Sequence, residues 1–153
     1  MFLSGMLARG RTRVKTDRLA WLSRLVRWLP TAVCVGGIFY LSQQSAPLGG
    51  APNEGWAAGA HLLLYAALAA LLLRAFASGT SAPTWALALV TFALAVLYGV
   101  SDEIHQAFVP GRSASEADIA LDAAGAALGI GLTLLLTRLL STGHDHPGAS
   151  RNH

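Results

Sequence analysis

Four apolar stretches, at about 25–41, 56–73, 85–100 and 119–140, run along this chain, each approaching the roughly 20 residues that an α-helix needs to cross a bilayer. Hydrocarbon offers no partner to an exposed N–H or C=O, so a long apolar stretch satisfies its backbone there by becoming a helix. The pattern predicts an all-α fold, a polytopic membrane helical bundle of four transmembrane helices. Composition agrees: 54% of the 153 residues are hydrophobic and 12% are charged, about half the charge of a soluble domain. The expected organisation is a basic cytoplasmic or interfacial segment over 1–24, a transmembrane domain over 25–140 and a flexible polar tail over 141–153.

Basic residues set the expected orientation. Seven of the eleven Lys and Arg lie between Arg9 and Arg27, and Arg74, Arg138 and Arg151 fall on the same side of four alternating spans, leaving Arg112 alone on the other. That bias predicts both termini in the cytoplasm. Leu19, Leu22, Val26 and Leu29 recur at helical offsets among Arg18, Arg24 and Arg27, which suggests an amphipathic surface segment ahead of the bilayer. Trp28 and Tyr40 bracket the first span as interfacial aromatics, with Pro30 expected in its first turn, where a missing N–H is tolerated. Basic residues placed before a hydrophobic helix suit an anionic leaflet, and no nucleic-acid partner is expected.

The single cysteine, Cys34, excludes an intrachain disulfide and a thiolate metal cluster, and it is expected to face the core. The first apolar stretch lacks an Ala-x-Ala cleavage site and is read as a retained span. In the tail, His144, Asp145 and His146 offer adventitious metal ligands within a composition typical of disorder.

Against this background the segment 98–129, YGVSDEIHQAFVPGRSASEADIALDAAGAALG, gathers five of the eight acidic residues. Charge between apolar spans is costly, so this segment marks the candidate site. Asp102 and Gln106 are four apart and face the same way, Glu103 lies on a neighbouring stripe, and His105 follows three after Asp102. Phe108, Val109 and Pro110 stop the helix, and Gly111 permits a turn that brings Arg112 back over its polar end. Ser113 with Glu116, and Ser115 with Asp118, both fit capping boxes for the fourth helix. Asp118, Asp122, Gly125 and Gly129 share one helix face, whose G-x-x-x-G admits a close neighbour within the chain or in a homo-oligomer.

Asp122 lies inside a span and must be protonated, paired or wetted, with Arg112 as its expected basic partner. On the second helix His61 and Tyr65 are four apart, and His61 serves either packing or a pocket shared with Asp102 and Asp122. Carboxylates and imidazoles are ligands for a divalent metal, although these spacings match no specific metal motif, and no H-E-x-x-H, serine elbow or phosphate loop is present.

The run SDEIHQAFVPGRSASEADIALDAAGAALG resembles the VanZ-like family of small bacterial membrane proteins, through Asp102, Glu103 and Gln106, Phe108 to Arg112, Asp118, Asp122, Gly125 and Gly129. His61 and Tyr65, in AHLLLYAAL, are similar to the family's second-helix His motif; the Lys that often precedes that His is absent here. The resemblance spans about 29–140. It implies a role at the cell envelope, since the family is named for a member associated with teicoplanin tolerance.

Three readings follow. In the first, an outer-leaflet pocket of an inner-membrane protein binds the headgroup of an envelope lipid or glycan precursor, with Arg112 on anionic oxygens, Asp102, Glu103, Asp118 and Asp122 orienting a cation or hydrogen-bond donors, and His61, His105, Tyr65 and Gln106 in the wall. In the second, Asp102, Glu103, His105, Asp118 and Asp122 supply metal-assisted hydrolysis or headgroup transfer, a carboxylate or His acting as general base. In the third, the acids serve packing or proton transfer in a scaffold or small transport component.

Overall fold

The computed structural model describes residues 3–45, 54–78 and 83–142, with side chains described from Trp21 onward apart from Arg24 and Glu54. These residues form four helices, α1 (Leu3–Ser42), α2 (Glu54–Ala77), α3 (Trp85–Gln106) and α4 (Glu116–Thr142). Each contains a segment long and apolar enough to cross a membrane: Trp21–Ser42, Gly55–Ala77, Trp85–Gln106 and Glu116–Thr142. At 1.5 Å per residue, α2, α3 and α4 run roughly 33–40 Å, beyond the ~30 Å hydrocarbon core, so their polar ends reach the headgroup layers.

α1 departs from expectation at Pro30. The proline lies deep within one continuous helix rather than in a first turn. It removes the donor that would serve the Val26 carbonyl, a loss membrane helices tolerate where neighbouring groups compensate. The basic segment and the first span therefore share a single helix. The sequence expectation for the tail, including His144, Asp145 and His146, lies outside the described residues.

α2 and α4 make the most extensive contact, α3 packs on both, and α1 packs on α2 and α3. Lipid tails are as apolar as leucine, so helix association in a bilayer relies on close packing and polar contacts rather than on burial from water. The core is accordingly small: Ala69, Leu73, Ala95, Ala126 and Ile130 form one cluster, and Ile38, Tyr65 and Leu68 form another against which Cys34 packs. Leu63, Leu97, Leu132 and Leu139 instead point outward, as lipid-facing residues do. A Cβ on Gly125 would overlap the Leu62 carbonyl, and one on Gly129 would overlap the Ala66 carbonyl. Of the two uses expected of it, the G-x-x-x-G face thus serves packing against α2 of the same chain.

Both ends of the bundle are built locally. Thr84 caps α3 by accepting from the Leu87 N–H at 3.3 Å. After α3 the chain turns through Gly111, whose φ of 81° suits glycine. At the end where α1 enters the bundle, α1, α2 and α4 line a groove of about 570 Å³ whose walls include Arg27, Pro30, Arg74 and Thr137.

Candidate functional site

The other end of the bundle holds the acids. The last turn of α3 directs Asp102, Glu103 and Gln106 inward, at 5%, 1% and 2% exposure. Asp122, about two turns into α4, is fully buried. Its carboxylate Oδ1 lies 2.9 Å from His61 Nδ1, the one ion pair among the described residues. With Asp122 ionised, the ring N–H donates.

This partner corrects the pairing of Asp122 with Arg112. α2 and α4 begin at the same end, and His61 and Asp122 each lie about two turns into their helices. They therefore meet at one depth. Arg112 sits beyond the Pro110–Gly111 turn, over the helix ends, and donates through Nη2 to Gln106 Oε1 and through Nη1 to the Gln44 carbonyl at 3.5 Å. Gln106 in turn donates through Nε2 to Asp102 Oδ2 at 2.9 Å. The predicted return of Arg112 over the end of α3 holds, and it ties that turn to the end of α1.

Glu103 connects α3 to α4. Ser115 caps α4 by accepting from the Asp118 N–H at 3.3 Å, while its own N–H donates to Glu103 Oε2 at 2.8 Å. In a capping box the reciprocal acceptor would be the Asp118 carboxylate. Here a carboxylate from another helix takes that place, which leaves Asp118 half-buried beside the cluster and Glu116 exposed at the first turn.

His105 departs from the expected wall. It is about 200° of helical rotation from Glu103, and its ring stacks on Phe39 of α1 with centroids 4.9 Å apart. Tyr65 lies deeper than a headgroup contact, at 1% exposure, with its ring 6.2 Å from that of Tyr98. The Tyr98 hydroxyl donates to the Val35 carbonyl at 2.8 Å, which holds α1 against α3 below the site.

Gly99 was not among the expected site residues. A Cβ there would lie 2.7 Å from Asp122 Oδ2 and 3.3 Å from Tyr65 Cε1. The bare backbone of α3 therefore forms one wall of the buried carboxylate's niche. The sequence did not single it out, because glycine inside an apolar helix costs stability relative to alanine without always marking a close approach, and a Cβ at the helical Gly36, Gly37, Gly59 or Gly131 meets nothing within 4 Å.

Around the Asp122 carboxylate, Tyr65 Oη, Glu103 Oε1 and Asp122 Oδ2 are buried without a hydrogen-bond partner, and at the same end of the bundle Ser42 Oγ and Nε2 of His105, in the Phe39 stack, are likewise unpartnered. Such atoms are expensive in a low-dielectric interior. His61, Glu103 and Asp122 each present a potential ligand atom, all within 4.8 Å of one another. Asp102 and Asp118 are outside that group. The arrangement thus has two parts, a buried His–Glu–Asp triad able to hold a cation or a proton, and a rim on which Arg112 is held by neutral oxygens.

Fold and site together define an integral four-helix membrane protein with a buried acid–histidine cluster at one end of its bundle. The chain belongs to the VanZ/LLP1 family, whose model it matches over residues 12–137. No curated protein and no solved structure matches it.

Proposed function

We propose that this membrane protein binds the phosphate of an envelope-lipid or glycan-precursor headgroup at the acidic end of its bundle, with Arg112 as the anion contact. The observation that carries this reading is the state of the guanidinium. Its acceptors are the Gln106 side-chain oxygen and the Gln44 carbonyl, and no carboxylate among the described residues lies within ion-pair distance. A half-buried arginine oriented by neutral groups keeps its full charge for an external anion, and its fork suits two phosphate oxygens. Of the acids beneath, Asp122 engages His61 through Oδ1 and Glu103 accepts from the Ser115 N–H through Oε2, so neither is drawn to the guanidinium.

The charge distribution supports an outward-facing site. Arg27, Arg74 and Arg138 belong to the opposite end of the bundle, and the basic end of a membrane protein faces the cytoplasm. The family's association with a cell-envelope antibiotic agrees with a headgroup met there.

The test is lipid retention by the purified full-length chain, measured by native mass spectrometry with polyprenyl phosphate, phosphatidylglycerol and neutral diacylglycerol. Phosphate-bearing lipids are expected to bind at least tenfold better than diacylglycerol, and Arg112→Gln to remove that preference while leaving the helical circular dichroism intact. Equal retention by the variant, or indifference to phosphate, overturns the reading. The His61–Asp122 pair also has the geometry of an oriented general base, which supports a hydrolytic or transferase version of the same site. Turnover of the bound headgroup, lost in Asp122→Asn, distinguishes that version from binding alone.

A further inference from the structure

We infer that His61, Glu103 and Asp122 form a divalent-cation site inside the bundle, of the chemical class that takes Zn²⁺ or Mn²⁺. Two carboxylates and a neutral imidazole carry the charge of −2 that matches such an ion, and the mixed nitrogen and oxygen donors suit these metals better than Mg²⁺ or Ca²⁺, which prefer oxygen alone. The three ligand atoms lie within 4.8 Å of one another. Ligand atoms around a tetrahedral ion with ~2.1 Å bonds stand roughly 3.4 Å apart, so closure requires side-chain movements of about an ångström.

The triad's own hydrogen bonds do not account for its atoms. Asp122 uses Oδ1 on His61 and Glu103 uses Oε2 on Ser115, while Asp122 Oδ2 and Glu103 Oε1 remain unpartnered at 0% and 1% exposure. An independent group points to the same place. Tyr65 is 1% exposed with an unpartnered hydroxyl, and its Cε1, next to the hydroxyl-bearing carbon, borders the Gly99 gap that Asp122 Oδ2 also borders. A purely structural His–Asp pair would need neither a second buried carboxylate nor that phenol. A cation supplies all three orphaned oxygens with a partner, either directly or through a bound water.

Protein ligands arrive from three helices, His61 from α2, Glu103 from α3 and Asp122 from α4. Metal binding would therefore lock the bundle at this end, and with three protein donors it leaves a coordination position open. Its donors exclude Arg112, so this site stands or falls separately from headgroup binding.

The experiment is calorimetric titration of the chelator-stripped, full-length chain in lipid nanodiscs with Zn²⁺ and with Mn²⁺. One equivalent per chain is expected for at least one of them, weakened at least tenfold in Glu103→Gln and in Asp122→Asn and unchanged in Arg112→Gln. The triple substitution His144→Ala, His146→Ala, His153→Ala removes the tail's imidazoles and is expected to leave the stoichiometric binding in place. Glu103→Gln keeps the side chain's size and an oxygen for the Ser115 N–H, and folding of each variant is checked by circular dichroism. The inference is overturned by absence of binding, by binding that the tail substitutions abolish, or by folded Glu103→Gln protein that binds as tightly as the unaltered chain.

Discussion

Gly99 on α3 lies so close to Asp122 on α4 that a methyl group on its Cα would meet Oδ2 at 2.7 Å. The fully buried carboxylate is thus enclosed by backbone on one side and engaged by His61 on the other. Gly99→Ala is expected to cost about 1–3 kcal/mol, because the added carbon must displace a carboxylate held by His61 and the ring of Tyr65. Thermal unfolding in detergent checks this, with Gly59→Ala as the comparison, since a Cβ at Gly59 meets nothing within 4 Å. Equal melting of the two variants would remove Gly99 from the site.

His61 and Asp122 should be energetically coupled. Removing the imidazole in His61→Ala strands a buried carboxylate, a loss on the order of 3–5 kcal/mol for a buried pair. His61→Ala combined with Asp122→Ala should then cost less than the sum of the single substitutions, as measured by a double-mutant cycle on unfolding free energies. Strict additivity would mean that the 2.9 Å contact contributes nothing to stability.

At Gly129 even a small side chain should block assembly. The obstacle is the Ala66 carbonyl, a backbone group that cannot rotate away as a flexible side chain can. Gly129→Val is expected to prevent α2 and α4 from closing, observed as rapid proteolysis and loss of folded protein at membrane extraction. A well-folded Gly129→Val protein would show that the α2–α4 contact is dispensable.

Glu103 should stabilise the start of α4 through the Ser115 N–H. Glu103→Ala exposes that donor and is expected to cost about 1 kcal/mol, as the loss of a helix cap does. Hydrogen exchange at the amides of 115–119 should accelerate, while exchange in the middle of α4 stays slow. Unchanged protection at 115–119 would assign the cap to Ser115 alone.

Orientation is read from single cysteines at Ser45 and Ser78 in a Cys34→Ala background, both positions being exposed and lying at opposite ends of the bundle, Ser45 near Gly111 and Ser78 in the groove beside Arg74. A membrane-impermeant maleimide added to intact cells is expected to label Ser45→Cys and not Ser78→Cys. The reverse pattern would put the acidic cluster in the cytoplasm.

By itself, the sequence determined the class of the fold and much of the roster of site residues. Apolar length fixes the four spans because hydrocarbon forbids an unpaired backbone, and charge in such a setting is conspicuous because it is costly. Offsets of four placed Asp102 with Gln106, and Pro110 with Gly111 returned Arg112 over them. Partnerships between helices were legible only as alternatives, His61 or Arg112 for Asp122, because they depend on the depth at which each helix is set against its neighbours. Only the tertiary structure decided that Asp122 meets His61, that Glu103 replaces Asp118 in the α4 cap and that His105 stacks on Phe39. Small residues govern those choices: the absence of a side chain at Gly125 and Gly129 lets α2 approach α4, and the absence of one at Gly99 gives Asp122 its place.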